Sequence, residues 1–308
     1  MILTITPNTG MDRILFLDSV RLGERNQANR VAESVGCKGC DVSMFLRAFG
    51  EDTVATGLAA GVTGRRLEGT LREAGVTPDF VWVPGETRWN TVLVEADGRH
   101  TTLCTESLQP GQDAVATLSL WIKRWVGAAD AVVFGGSLPA AWPSEAYATL
   151  VAAAAEGGKP VLVDASGAQL RAALTTGSIH SIKPNRRELE SLAGPTADIP
   201  GVLAAADGLQ YAGVERVLVS LGDQGALLSS SRGAWFAEAV PVSVLSPAGA
   251  GDGMMACLAL AAVRGWDEPE TLRWAVATAT AIVTNAGTSE VRRDQIELHL
   301  PQVRVRAI

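Results

Sequence analysis

Residues 246–253 read Ser-Pro-Ala-Gly-Ala-Gly-Asp-Gly and run directly into Met254-Met255-Ala256-Cys257-Leu258-Ala259-Leu260-Ala261-Ala262-Val263. The apolar run predicts a buried helix, and Gly249-Ala250-Gly251 falls at its N-terminus. Free backbone amides and the positive end of the helix dipole make that turn a receptor for an anion. Without bulky side chains in the way, a phosphate can approach the backbone closely. Asp252 sits in the first turn, beside the anion. A carboxylate there binds phosphate poorly but is well placed as general base for a hydroxyl that attacks it. The same pattern also fits a plain helix start with an acid in its first turn, so the rest of the chain must decide.

Four other breaks share this make-up of small residues with one or two polar groups. They are Gly135-Gly136-Ser137-Leu138-Pro139, Asp164-Ala165-Ser166-Gly167, Lys183-Pro184-Asn185-Arg186-Arg187-Glu188 and Ser220-Leu221-Gly222-Asp223-Gln224-Gly225-Ala226. Each follows a strand-like segment: residues 131–134, 160–164, 178–182 and 216–220. Helical periodicity covers 112–126, 144–156, the residues from 186 onward, 202–211 and 272–283. Strands and helices alternating at this spacing predict right-handed crossovers and a mainly parallel sheet covered on both faces. In such sheets ligands collect at the carboxyl edge of the strands, which is where every one of these breaks lies.

The first hundred residues have a second texture. Residues 2–5 and 54–58 are apolar in the manner of buried parallel strands, and 41–49 and 64–74 suit helices. Residues 13–17, 90–95 and 100–104 instead lie between polar segments, with Asp97-Gly98 marking a hairpin. These pieces predict a small, exposed, antiparallel sheet built from two excursions, 12–33 and 88–104, out of one domain spanning 1–308. No internal repeat, low-complexity segment or long linker divides the chain.

A hydrophobic content of 47% with 19% charged residues fits a well-buried globular enzyme. The net charge of −7 argues against nucleic acid or an anionic membrane as partner. Any polyanionic ligand must therefore be held by local donors. The start reads as a strand rather than a signal peptide, and the alanine-rich runs are too interrupted for a membrane span. Cys37-Lys38-Gly39-Cys40 has metal-like spacing, but no second pair completes a zinc site. With Cys104 and Cys257 these read as small packed residues of a reduced, cytoplasmic protein.

The ordered set Asp12, Gly36-Cys37-Lys38-Gly39, Gly85-Glu86-Thr87-Arg88-Trp89-Asn90, Gly135-Gly136-Ser137-Leu138-Pro139, residues 183–188, residues 220–226 and Gly249-Ala250-Gly251-Asp252 resembles the ribokinase-like (PfkB) carbohydrate kinases. It is most similar to the branch holding 1-phosphofructokinases and tagatose-6-phosphate kinases. The resemblance implies a ribokinase-like three-layer α/β fold, with a mainly parallel central sheet and a small β-sheet lid. It also implies ATP and Mg²⁺ as cofactors, a ketohexose monophosphate (fructose 1-phosphate or tagatose 6-phosphate) as acceptor, and a homodimer joined through the lid. In that likeness Asp252 is the base and Gly249, Ala250 and Gly251 form the anion hole. Asn185 and Glu188 organise the metal, largely through water; they also fit a simple helix cap with its partner. Lys183, Ser220, Gly222, Gly225 and Asn285 meet the nucleotide, and Asp12, Lys38, Asp41, Arg88 and Ser137 meet the sugar phosphate. Arg25, Arg30, Arg65 and Arg66 fit a solvated surface.

The departures from the pattern are all on the acceptor side. Gly-Gly-Lys-Gly-x-Asn has become Gly36-Cys37-Lys38-Gly39-Cys40-Asp41, and Asn8-Thr9-Gly10-Met11-Asp12 stands for Asn-Pro-Ala/Ser-x-Asp. A carboxylate at 41 accepts hydrogen bonds but cannot donate them, and it repels a sugar phosphate. This predicts weaker or altered acceptor use, relieved by Asp41→Asn. Another sugar or a nucleoside is the alternative acceptor, and a non-catalytic binding protein on the same scaffold the alternative class. A dinucleotide-dependent oxidoreductase is disfavoured, because no Gly-x-Gly-x-x-Gly follows the first strand.

Overall fold

The computed structural model describes residues 1–105, 108–111, 113–285 and 291–308. Among them the strands are β1 (Ile2–Thr6), β2 (Gly10–Leu17), β3 (Arg30–Val35), β4 (Thr53–Ala59), β5 (Thr77–Pro78), β6 (Val81–Trp82), β7 (Arg88–Glu95) and β8 (His100–Cys104). They continue with β9 (Ala131–Gly135), β10 (Val161–Asp164), β11 (Ser181–Ile182), β12 (Arg216–Ser220), β13 (Ala226–Ser230), β14 (Gly233–Ala237) and β15 (Val305–Ala307). The helices are α1 (Lys38–Ala48), α2 (Gly61–Glu73), α3 (Asp113–Val126), α4 (Glu145–Ala155), α5 (Gly167–Leu174), α6 (Arg186–Ala193), α7 (Ile199–Tyr211), α8 (Ala250–Arg264), α9 (Glu268–Val283) and α10 (Arg293–Glu297). Gln112, the expected first residue of α3, lies outside the described residues.

The large sheet runs β15-β14-β13-β12-β11-β10-β9-β1-β4-β5, with β6 also on β4. From β12 through β4 and its partners the pairing is parallel, and the β12–β15 end is antiparallel. Its central strands are buried on both faces, which the alternation of side chains makes explicit. Leu3, Ile5, Val132, Phe134, Val161, Val163, Val217 and Val219 point to one core, shared with α3, α4, α6 and α7. Ile2, Ala131, Val133, Leu162 and Leu218 point to the other, shared with α1, α8 and α9. Full burial of each such side chain contributes about 1.5–3 kcal/mol. Helices on both faces of one sheet make the three layers.

The second sheet runs β3-β2-β7-β8. Its outer pairs are antiparallel, with β7 and β8 joined at Asp97-Gly98 as the sequence predicts. Its central pair, β2 with β7, is parallel, which corrects the expectation of an all-antiparallel lid. The reason is topological. β2 follows β1, and β7 follows β6 on the parallel strand β4, so both leave the main sheet at its carboxyl edge heading the same way. The lid's base rests on a third apolar cluster, with Met11 and Val35 packed among Leu67, Leu71 and Phe80.

Local sequence fixes the ends of the helices that matter. α1 begins at Lys38, earlier than residue 41, because glycines admit its first turn against the sheet. A Cβ on Gly135 would meet the amide of Gly39 at 2.5 Å. α8 is bounded by Gly249 and Gly265, both in the left-handed region at φ 80° and 69°. α7 starts before 202 because Asp198 caps it, accepting from the Gly201 amide at 2.9 Å.

Candidate active site

Two clefts meet at the carboxyl edge of the sheet, under the lid. The first, of about 400 Å³, is lined by Asn8, Asp12, Gly36, Cys37, Lys38, Asp41, Arg88 and Ser137, together with Asp164, Glu188, Gly249 and Asp252. The second, of about 580 Å³, is lined by Lys183, Asn185, Ser220, Gly222, Gly225, Ala250 and Gly251, with an apolar wall from Val240 and Val242 to Val276, Ala279 and Val283. Lys38, Asp164, Glu188 and Asp252 line both. The structure thus brings together every candidate site residue but one. Asn285 does not line either cleft: it turns its amide back onto α9, Nδ2 donating to the Ala281 carbonyl at 2.8 Å. The arginines at 25, 30, 65 and 66 also line neither cleft; Arg66 instead pairs with Glu33 at 2.5 Å.

Asp252 occupies the junction, half-buried, with Oδ1 shielded from solvent and without a partner. Its carboxyl is pushed up to about 7, first by burial and then by the charge of Asp164, while Lys38 and Lys183 act against the shift. Such a group binds and releases a proton near neutrality, which a general base must do. Around it, Gly249 turns the chain so that α8 begins with its amides directed outward. The first residue whose amide returns into the helix is Gly253, donating to the Gly249 carbonyl at 2.9 Å. The amides before it have no intrahelical acceptor by the geometry of any helix start.

Lys38, at the first position of α1, reaches across to Asp164 at the end of β10, Nζ to Oδ1, 2.8 Å. Lys183, after β11, lies 3.4 Å from Oδ2 of the same carboxylate. Burial pushes the Asp164 carboxyl up, but the two ammonium groups outweigh it and hold it below the usual carboxylate range. The sequence places Asp164 in a ligand-side break but assigns it no role; only the fold shows that this acid ties together two basic residues 145 positions apart in the chain.

The polar groups of the first cleft come mainly from the lid base and α1. Asp12 and Asn90 are directly opposite in the β2–β7 register, and Asn90 Nδ2 donates to Asp12 Oδ1 at 2.7 Å. Asn90 ends the Gly85-Glu86-Thr87-Arg88-Trp89-Asn90 motif, whose spacing alone assigns it no role. Arg88 enters from the first residue of β7 with Nε shielded and unpartnered. Asn8 donates to Ser137 Oγ at 3.2 Å and leaves its own Oδ1 unpartnered. Asp41 is buried, its Oδ1 likewise without a partner. Burial, then the nearby Asp252, Cys37 and Asp12, push its carboxyl well above the usual range. The upward push favours the protonated form, which can donate as well as accept. In that form the group stands close in size and hydrogen-bonding capacity to the amide of the family pattern, which works against the expected repulsion.

Asn185 and Glu188 form a capping box at the start of α6. Asn185 Oδ1 accepts from the Glu188 amide at 2.9 Å, and Glu188 Oε2 accepts from the Asn185 amide at 2.8 Å. The cap reading is realised, yet both residues also line the second cleft. No group of three or more metal-ligating acidic, His or Cys side chains occurs among the described residues. Glu188, the acidic side chain of the capping pair, lines both clefts and fits a hard divalent ion that keeps most of its water. Cys37, Cys40 and Cys257 are buried as expected, whereas Cys104 is exposed at the end of β8.

A helix start beside a shielded carboxyl group, flanked by one polar cleft and one apolar-walled cleft, suits the chemistry of phosphoryl transfer. Comparison with known proteins narrows the class. The family model for pfkB family carbohydrate kinases matches residues 6–295, and the chain belongs to that family. Membership makes it a phosphotransferase with ATP as donor and a sugar hydroxyl as acceptor group. It is similar to a 1-phosphofructokinase of Xanthomonas campestris pv. campestris, 35% identical over 84% of this chain and 83% of that one. It is also similar to a 1-phosphofructokinase of Haloferax volcanii, 31% identical over 99% of this chain and all of the other. Among solved structures, phosphofructokinase-2 from Escherichia coli in complex with substrates and products superposes with a TM-score of 0.92 at 28% identity, covering 98% of both chains. No helix among the described residues is long and apolar enough to cross a membrane.

Proposed function

We propose that this kinase transfers the γ-phosphoryl group of ATP to a ketohexose monophosphate, giving the bisphosphate, with fructose 1-phosphate and tagatose 6-phosphate as candidate acceptors. The observation that carries the reading is Asp252, shielded and unpartnered where the two clefts meet. Asp252 takes the proton from the attacking hydroxyl as its oxygen closes on phosphorus. The amides of Gly249, Ala250 and Gly251 receive the charge that spreads over the transferring group. On the donor side Lys183 faces the phosphates, Ser220, Gly222 and Gly225 border the groove, and the apolar wall accepts the base. Mg²⁺, held through water by Asn185 and Glu188, would neutralise phosphate charge. On the acceptor side Asp12 and Ser137 take hydroxyls, Asp41 pairs with a hydroxyl or a ring oxygen, and Lys38 and Arg88 take the phosphate already present. The names of the relatives favour fructose 1-phosphate.

The same reading includes one domain, residues 1–308, and a cytoplasmic home consistent with four free cysteines. It also includes a homodimer through the lid, where Val31 and Leu103 are each 56% exposed. A monomer by light scattering at micromolar concentration would remove the dimer. The function itself is tested by ATP consumption over a panel of free sugars, nucleosides and sugar monophosphates. Turnover confined to ketohexose monophosphates is expected; turnover only with an unphosphorylated acceptor would overturn it.

A further inference from the structure

Among the described residues, Asp164 is the one acidic side chain with two lysines from different substrate regions on its two oxygens. Lys38 comes from the N-terminus of α1, whose neighbours Cys37 and Asp41 belong to the acceptor cleft. Lys183 comes from the loop after β11 and lines only the donor cleft. Asp164 itself is 1% exposed, and Lys183 is 4% exposed, whereas Lys38 is 38% exposed at its side chain. A lysine carries four rotatable bonds, so an unanchored ammonium samples many positions. Here both are fixed through one rigid strand end: β10 is paired on both sides, to β9 and to β11.

We infer that Asp164 is a positioning residue that holds the acceptor-side and donor-side lysines in a fixed register across the two clefts. The inference rests on the phosphoryl-transfer reading above. Its consequence separates binding from turnover. Two phosphate-bearing substrates bring several negative charges to this junction, and Asp164 adds another. Asp164 therefore works against ground-state binding of both, and its benefit must lie in alignment. Removing the charge frees both lysines to meet their phosphates wherever these lie, so affinity is kept. What is lost is the mutual placement of the two phosphates, and an ångström of misplacement costs about 100-fold in rate.

The test is steady-state kinetics on the full-length protein with Mg²⁺–ATP and the acceptor found by the substrate panel. Wild type without phosphoryl transfer to any acceptor would sink the functional reading before any variant is compared. Asp164→Asn is expected to lower kcat by about 100-fold, with neither KM raised more than about twofold. Asp164→Glu keeps the charge, and so keeps the buried lysines paired if the Asn variant fails to fold. It carries the charge one methylene further, and the same split is expected. A rise in the acceptor KM alone, with kcat retained, would make Asp164 a direct sugar contact and overturn the inference. So would recovery of kcat at raised Mg²⁺, which would assign the residue to the metal. Turnover within about threefold of wild type in both variants would leave Asp164 without a role in alignment.

Discussion

The two clefts of this kinase are built on different principles. The donor cleft is mostly apolar wall, with its polar residues confined to a few loop positions. The acceptor cleft is smaller and crowded with ionisable groups: Asp12, Asp41, Asp252, Lys38 and Arg88 share about 400 Å³. An apolar groove tolerates exchange of one aliphatic residue for another, because it asks only for shape. A crowded polar pocket does not, because each group sets the charge state of its neighbours. Of the departures from the family pattern, Cys37 and Asp41 nevertheless line the crowded cleft, whereas Thr9 and Gly10 lie beside it. At one of them, Asp41, burial pushes the carboxyl up and so favours its neutral form.

The comparison is broken most severely at the point the clefts share. Asp252→Asn is expected to lower kcat by about two to four orders of magnitude, as loss of a general base does, while ADP affinity measured calorimetrically stays within about twofold. Because the wild-type carboxyl sits at about 7, kcat/KM should fall tenfold per pH unit below that value and level off above it. The sign follows from the base having to be unprotonated in the free enzyme. A profile flat from pH 5.5 to 8.5 would remove Asp252 from that role.

A change in only one cleft should leave the other untouched. Arg88 lines the acceptor cleft alone, so Arg88→Ala is expected to raise the acceptor KM by about 10- to 100-fold, the range for losing a charge-assisted hydrogen bond. The ATP KM should not move; if it does, the clefts are coupled through the lid. The smallest effect is expected at Asp41. A neutral acid and an amide are close in shape, so Asp41→Asn should change acceptor KM by less than about threefold near neutral pH. As pH rises and the acid ionises, wild type alone should lose acceptor affinity. Improved acceptor use by the variant at all pH values would restore the repulsion that the bare sequence suggests.

Much of the fold could be read from the chain because its central strands are buried on both faces and show as unbroken apolar runs. Residues 131–134 and 216–220 are examples, and each lies within one or two residues of its strand. What escaped was short or tertiary in origin. β5 and β6 are two residues each, too short to carry any periodicity. The parallel β2–β7 pair joins segments 78 residues apart, a pairing decided by where each strand leaves the main sheet. The site was legible wherever chemistry is local, as at Gly249-Ala250-Gly251-Asp252 and the Asn185–Glu188 cap. It was not legible where chemistry depends on distant partners: the Asp164 bridge, the Asn90 hold on Asp12, and the inward turn of Asn285.

The order in which the chain delivers its two clefts has an evolutionary consequence. Apart from Lys38, the donor cleft is lined from residue 164 onward, whereas Asn8, Asp12, Lys38, Asp41 and Arg88 all precede residue 89. Acceptor choice and donor binding are thus written largely in separate stretches of the gene. A single recombination between the lid hairpin and α3 would exchange the sugar end of the pocket while leaving the nucleotide end as it was. Within the site, such a hybrid would have to reconstitute the contacts of the incoming Lys38 with the resident Asp164 and of the incoming Asn8 with the resident Ser137.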